Sequence, residues 1–245
     1  MTKPMQYQLT DDFGRQVDYV RISVTDRCDF RCVYCMAEEM TFLPRESIMS
    51  IEEIELVARA FVELGVSRIR LTGGEPLVRR GLVDNLHKIG HLDGLDELLI
   101  TTNGSQLVRH AKTLKAAGVK RLNVSLDSLD EAKFKAMTRT GKLTQVLQGI
   151  NAAIEEGFER IKINAVVMRG SNDDEVLDLV EFARDKGIDI AFIEEMPLGT
   201  IESHDRAVTY CSSDDVREII EQRYPLVHNP QKTAGPSRYY NMPNH

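Results

Sequence analysis

Tyr19-Val20-Arg21-Ile22-Ser23-Val24-Thr25-Asp26-Arg27-Cys28-Asp29-Phe30-Arg31-Cys32-Val33-Tyr34-Cys35 begins as an apolar, β-branched run and empties into a loop carrying three cysteines. Tyr19 to Val24 reads as a strand, so its carboxyl end delivers Cys28, Cys32 and Cys35 as Cys-x3-Cys-x2-Cys. The fourth cysteine of the chain, Cys211, lies far downstream. A cubane iron–sulfur cluster is ordinarily held by about four thiolates, so three ligands leave one iron open. An open metal position is what separates a catalytic site from a structural one. Structural zinc prefers two separated ligand pairs, and a disulfide framework needs more cysteines in a shorter chain. Three clustered thiols and one distant one suit a reducing compartment.

Outward from this loop a β/α unit recurs. Ser50-Ile51-Glu52-Glu53 has the form of a capping box, opening a helix to about Leu64 that Gly65 ends. Five further strands are expected over Ser67–Leu71, Leu95–Thr101, Lys120–Leu126, Arg160–Val167 and Asp189–Glu194. Helices are expected near 80–90, 107–117, 130–156 with a break near Gly141, and 173–186, with Gly118, Gly157 and Gly187 as stops. Six β/α units without runs of hairpins predict a parallel sheet, either open and doubly wound or curled toward a barrel.

The strand ends favour the barrel. The second ends in Thr72-Gly73-Gly74-Glu75-Pro76, the third in Thr101-Thr102-Asn103-Gly104 and the fourth in Ser125-Leu126-Asp127-Ser128. The fifth carries Lys162 and Asn164, and Glu194-Glu195-Met196-Pro197 follows the sixth. Active sites of β/α barrels collect at the carboxyl ends of the strands, so these residues are expected to ring one mouth. With six units the closure is partial. The expected fold is α/β, an incomplete (β/α)6 TIM-type barrel.

Composition sets the frame. The chain has 245 residues, 42% of them hydrophobic, enough for one large globular domain with a real core. Met1 to Asp12 has no apolar signal region, and no stretch approaches the roughly 18 apolar residues of a membrane span. A cytoplasmic protein without a membrane partner is the expectation. The net charge of −7 argues against a broad nucleic-acid surface, so an anionic ligand must be met by a few local bases. Arg70 between Ile69 and Leu71, and Lys162 between Ile161 and Ile163, are cations inside apolar strands, where an unpaired charge is expensive to bury.

The triplet, with Tyr34 before its last cysteine, resembles that of the radical S-adenosylmethionine enzymes. That resemblance implies a [4Fe-4S] cluster on Cys28, Cys32 and Cys35 whose open iron chelates S-adenosylmethionine. Reductive cleavage of that cofactor gives a 5′-deoxyadenosyl radical. It also implies cofactor contacts from Tyr34, Gly74, Ser125 and Met196, with the Gly73-Gly74-Glu75-Pro76 element holding the methionine amino group. Five segments in register, from Arg21–Cys28 through Arg70–Arg80, Thr101–Gly104 and Leu122–Ser128 to Phe192–Met196, are similar to the GTP 3′,8-cyclase family. These enzymes begin molybdenum-cofactor synthesis. The likeness runs from Leu9 to Tyr240 and implies GTP contacts from Arg21, Arg70, Thr101 and Lys162, abstraction of the ribose 3′ hydrogen and attack of the carbon radical on guanine C8. It further implies a reductant for the cluster, a downstream cyclic pyranopterin monophosphate synthase and a homodimer.

One departure stands out. The family carries a second [4Fe-4S] cluster on three cysteines beyond the barrel, and those ligands are absent from this chain; Cys211 does not match them and reads as an ordinary thiol. Residues 1–225 are expected to form the partial barrel, and 226–245, including Gly235-Pro236-Ser237-Arg238-Tyr239-Tyr240, to begin a truncated C-terminal region. A different radical enzyme, such as a peptide-modifying one, would share the cysteines without needing the cations. A non-enzymatic redox carrier would bind a cluster without cleaving S-adenosylmethionine.

Overall fold

The computed structural model describes residues 9–197, 204–230 and 237–243. Met1 to Gln8 and, within the expected C-terminal start, Gly235 and Pro236 lie outside them. Six strands form one sheet in chain order: β1 (Tyr19–Ser23), β2 (Arg68–Thr72), β3 (Glu97–Thr102), β4 (Val119–Ser125), β5 (Arg160–Val167) and β6 (Asp189–Glu194). The pairs β1–β2, β2–β3, β3–β4 and β5–β6 are parallel. Sequential parallel order with intervening helices is the pattern of a barrel wall, whereas a doubly wound sheet reverses its strand order. The helices are α1 (Ile51–Glu63), α2 (Leu82–Gly90), α3 (Leu107–Ala116), α4 (Glu131–Thr138), α5 (Leu143–Glu155), α6 (Val176–Asp185), α7 (Arg206–Thr209) and α8 (Ser213–Glu221). The break expected near Gly141 separates α4 from α5. A two-stranded antiparallel pair, β7 (Val227–Asn229) with β8 (Tyr239–Asn241), was not foreseen. No helix among the described residues is long and apolar enough to cross a membrane.

The chain divides into two compact units, one of Met1–Asp29, Thr41–Val124 and Gln145–Ile161, the other of Phe30–Met40, Ser125–Thr144 and Lys162–His245. In the first, Ile69, Leu71, Ile100, Leu122 and Val124 point from the strands to one side and are buried with Ile54, Leu86 and Leu114 of the helices. Each such side chain contributes about 1.5–3 kcal/mol on burial. The capping box predicted for α1 is present: Ser50 accepts from the Glu53 backbone N–H while the Glu53 carboxylate accepts from that of Ser50. In the second unit Val167, Val176, Val180, Val216, Ile220 and Tyr224 enclose Cys211, a buried thiol.

Alternation leaves the opposite strand faces polar. Along β5 the buried residues Ile161, Ile163, Ala165 and Val167 alternate with half-buried Arg160, Lys162, Asn164 and Val166. In the first unit the corresponding face carries Arg21, Arg70 and Arg121, with Leu99 between the last two in register.

Candidate active site

The Gly-Gly element is fixed by backbone contact. Gly74 N–H donates to Thr25 O at 2.7 Å and Glu75 N–H to Arg27 O at 2.8 Å, so the loop after β2 lies against the start of the cysteine loop. A Cβ on Gly73 would stand 2.4 Å from Thr25 O, and one on Gly74 2.3 Å from Arg27 O; Gly73 also has φ +151°. These glycines are required by the approach of two protein backbones.

Glu75 is fully buried, and its oxygens accept from Leu77 N–H (2.9 Å), Thr102 Oγ1 (2.8 Å) and Asn103 N–H (2.6 Å). Burial outweighs these donors and pushes its pKa up to about 7. Glu75 pins the loop after β2 to that after β3. Asn103, so placed, donates from Nδ2 to Asp29 Oδ1 at 2.6 Å and lies 3.8 Å from Cys28 Sγ. Ser105 Oγ holds the other oxygen of Asp29 at 2.6 Å.

In the second unit, Tyr34 Oη donates to Asp127 Oδ2 at 2.7 Å, and the other Asp127 oxygen accepts from Val166 N–H at 2.8 Å. Burial raises the Asp127 carboxyl to about 6, and burial followed by the Asp127 charge pushes the Tyr34 phenol well up. The segment holding Cys32 and Cys35 is tied to the end of α4: Arg31 N–H donates to Thr138 O and Val33 N–H to Met137 O. Arg139 donates to Arg31 O at 3.0 Å and Met36 O at 3.2 Å. Ser125 ends β4, half-buried, while Met196 follows β6 and is 53% exposed, so neither is core filler. The adjacent Glu195 is buried and accepts from His204, Arg206 and Thr209.

The cations sort into two kinds. In the first unit Arg68 pairs with Asp18 and Arg121 with Glu97. Arg21 and Arg70, register partners on β1 and β2, instead meet at a phenol: Arg70 Nε donates to Tyr19 Oη at 2.8 Å and Arg21 Nε at 3.2 Å. Arg70 Nη1 donates to Thr101 Oγ1 at 3.3 Å. Arg70 is buried and Arg21 exposed. Burial together with the neighbouring Arg21 and Arg121 charges lowers the Arg70 pKa, whereas Tyr19 opposes the shift. Arg70 thus joins Thr101 directly and Arg21 through Tyr19. Lys162 belongs to the second unit, half-buried, its ammonium 6.0 Å from the Tyr239 ring centroid. Tyr19 escaped the sequence reading, although its spacing of two from Arg21 places both on one strand face.

The three cysteines of the loop are free thiols. Soft thiolates on one short loop, with an amide donor close to Cys28, suit an iron–sulfur group. Among the described residues no three His, Cys, Asp or Glu side chains form a ready cage.

The model of the Radical SAM superfamily matches residues 22–183. A GTP 3′,8-cyclase of Ectopseudomonas mendocina (strain ymp) is 61% identical over 235 residues, covering 96% of this chain and 71% of the relative. The chain belongs to the GTP 3′,8-cyclase family. GTP 3′,8-cyclase 2 of Pseudomonas aeruginosa is 60% identical over the same 96% of this chain and 71% of its own length. Among solved structures, Streptococcus suis SuiB bound to S-adenosylmethionine superposes with a TM-score of 0.62 at 22% identity, covering 85% of this chain and 49% of that one. That likeness carries the fold alone. With the six-stranded sheet it makes this GTP 3′,8-cyclase family member an incomplete (β/α)6 TIM-type barrel. Membership of the superfamily brings a [4Fe-4S] cluster and S-adenosylmethionine as cofactors.

Proposed function

We propose that this chain converts GTP to (8S)-3′,8-cyclo-7,8-dihydroguanosine 5′-triphosphate, the first step of molybdenum-cofactor biosynthesis. The observation that carries the reading is 61% identity over 96% of the chain to a GTP 3′,8-cyclase. Cys28, Cys32 and Cys35 would hold the cluster, and Tyr34, Gly74, Ser125 and Met196 would contact S-adenosylmethionine. When bound, these groups supply a radical that removes hydrogen from carbon. The protein supplies binding and orientation. Arg21, Arg70, Thr101 and Lys162 would bind the triphosphate through charge-assisted hydrogen bonds, holding the ribose still for a reaction that depends on placement. The pairing of Arg68 and Arg121 with acids, and of Arg21 and Arg70 with a neutral phenol, supports this division.

Finer parts of the reading follow the family. They are a reductant for the cluster, a cyclic pyranopterin monophosphate synthase taking the product onward, a second cluster whose ligands this sequence does not contain, a homodimer, a cytoplasmic location and a barrel over residues 1–225 continued by 226–245.

Anaerobic reconstitution with iron, sulfide, reductant, S-adenosylmethionine and GTP tests the proposal. 5′-Deoxyadenosine should form, and GTP should bind about tenfold or more weakly to Arg70→Ala, as expected when a charge-assisted contact is lost. Undiminished GTP binding by Arg70→Ala would assign the chain to a radical reaction on another substrate.

A further inference from the structure

We propose that Tyr19 is the positioning residue of the polyphosphate clamp, holding Arg21 and Arg70 side by side with their terminal nitrogens turned to the ligand. The proposal rests on the GTP reading above. Arg21 and Arg70 are register partners on adjacent parallel strands, so two positive charges are set beside each other by the backbone alone. Left to themselves they would splay apart, since like charges at such spacing repel and side-chain rotation costs little. A carboxylate between them would relieve the repulsion, as Asp18 does for Arg68 and Glu97 for Arg121. It would also cancel the charge a phosphate needs. The Tyr19 oxygen offers an acceptor with no formal charge, and both Nε groups converge on it, at 2.8 Å and 3.2 Å.

The geometry has a second effect. A guanidinium has five N–H donors in a rigid fork. Tying Nε to Tyr19 fixes the plane of each fork and leaves its Nη donors for the ligand, one on Arg70 being steadied by Thr101 at 3.3 Å. Other groups facing the phenol agree: burial alone would raise its pKa, but the Arg21 hydrogen bond and the Arg70 charge leave it lowered. That is the response of an oxygen accepting from cations. Because every contact lies in the triphosphate region, Tyr19 would act on polyphosphate affinity and leave recognition of the nucleoside untouched.

The experiment measures binding of inorganic triphosphate, GTP and guanosine to the reconstituted wild type and Tyr19→Phe, with KM and kcat for GTP. The phenylalanine keeps the ring and removes the acceptor. Triphosphate and GTP should each bind about tenfold more weakly, the effect of one charge-assisted contact. Guanosine affinity should be unchanged, and the loss should fall on KM with kcat nearly kept. Arg70→Lys keeps the charge but breaks the same Nε contact, so its loss and that of Tyr19→Phe should be less than additive in the double variant. If Tyr19→Phe does not fold, Arg70→Lys carries the test, with triphosphate again weakened and guanosine unchanged. Equal triphosphate affinity in wild type and Tyr19→Phe, or a loss shared equally by guanosine, would overturn the positioning role. Failure of the wild type itself to bind triphosphate would instead overturn the GTP reading.

Discussion

At the scale of one residue, Glu75 shows how a motif carboxylate can serve the scaffold. Three donors reach its oxygens, at 2.9, 2.8 and 2.6 Å, yet burial leaves its pKa at about 7 against an ordinary 4.5. The folded protein therefore holds a proton there that the unfolded chain has released between those two values. The stabilisation that results is complete below about pH 4.5 and fades as pH rises through about 7, at a limiting slope of about 1.4 kcal/mol per pH unit. Glu75→Gln has no proton to lose. Urea unfolding of both proteins at pH 5 and pH 8 should find the wild type stronger relative to the variant at pH 5. A pH-independent difference would mean that the donors keep Glu75 ionised and that burial is the lesser effect.

At the scale of the element, α4 ends in a residue whose side chain explains its backbone. Arg139 has φ +58°, the one positive φ outside glycine among the described residues, and its guanidinium reaches Arg31 O and Met36 O on either side of Cys32 and Cys35. A non-glycine residue held there costs about 1–3 kcal/mol, and the clamp on the cysteine segment gives that cost a purpose. Arg139→Gly relieves the backbone and loses the clamp; Arg139→Ala loses the clamp and keeps the strain. Thermal unfolding should rank Gly above Ala, while trypsin should cut at Arg31 faster in both than in the wild type. An uncut segment in both variants would deny the clamp. Such a device is invisible in sequence, where Arg139 looks like any basic residue at a helix end. The regular elements were legible: β5 and β6 fall on the expected residues, and β2, β3 and β4 within two of them, because apolar runs and glycine stops are local signals. The pair β7 and β8 was not, since strands of three residues offer too little alternation to read. Of the site, the charged residues stood out against apolar strands, whereas the acceptor between two of them, Tyr19, looked like an ordinary strand aromatic.

Across the whole molecule, charge and sulfur are both distributed unevenly. A net charge of −7 repels nucleotide at long range, so affinity must come from cations placed locally, above all Arg21 and Arg70, which meet at the Tyr19 phenol. The thiols follow the same economy. Cys28, Cys32 and Cys35 lie in one loop, while Cys211 is 1% exposed among Val167, Val176, Val180, Val216, Ile220 and Tyr224, where burial pushes its thiol pKa up. A thiol in that setting behaves as a small apolar group and is a poor ligand. The proposed assignment to Cys28, Cys32 and Cys35 therefore gives these 245 residues one cluster. Anaerobic reconstitution should load about four irons per chain, the content of a single cubane. Cys211→Ala should keep all of them, and Cys28→Ala, Cys32→Ala or Cys35→Ala should each lose most. Iron near twice that content, or iron lost with Cys211, would require thiolates to be recruited from outside the loop and would break the assignment of the open corner to S-adenosylmethionine.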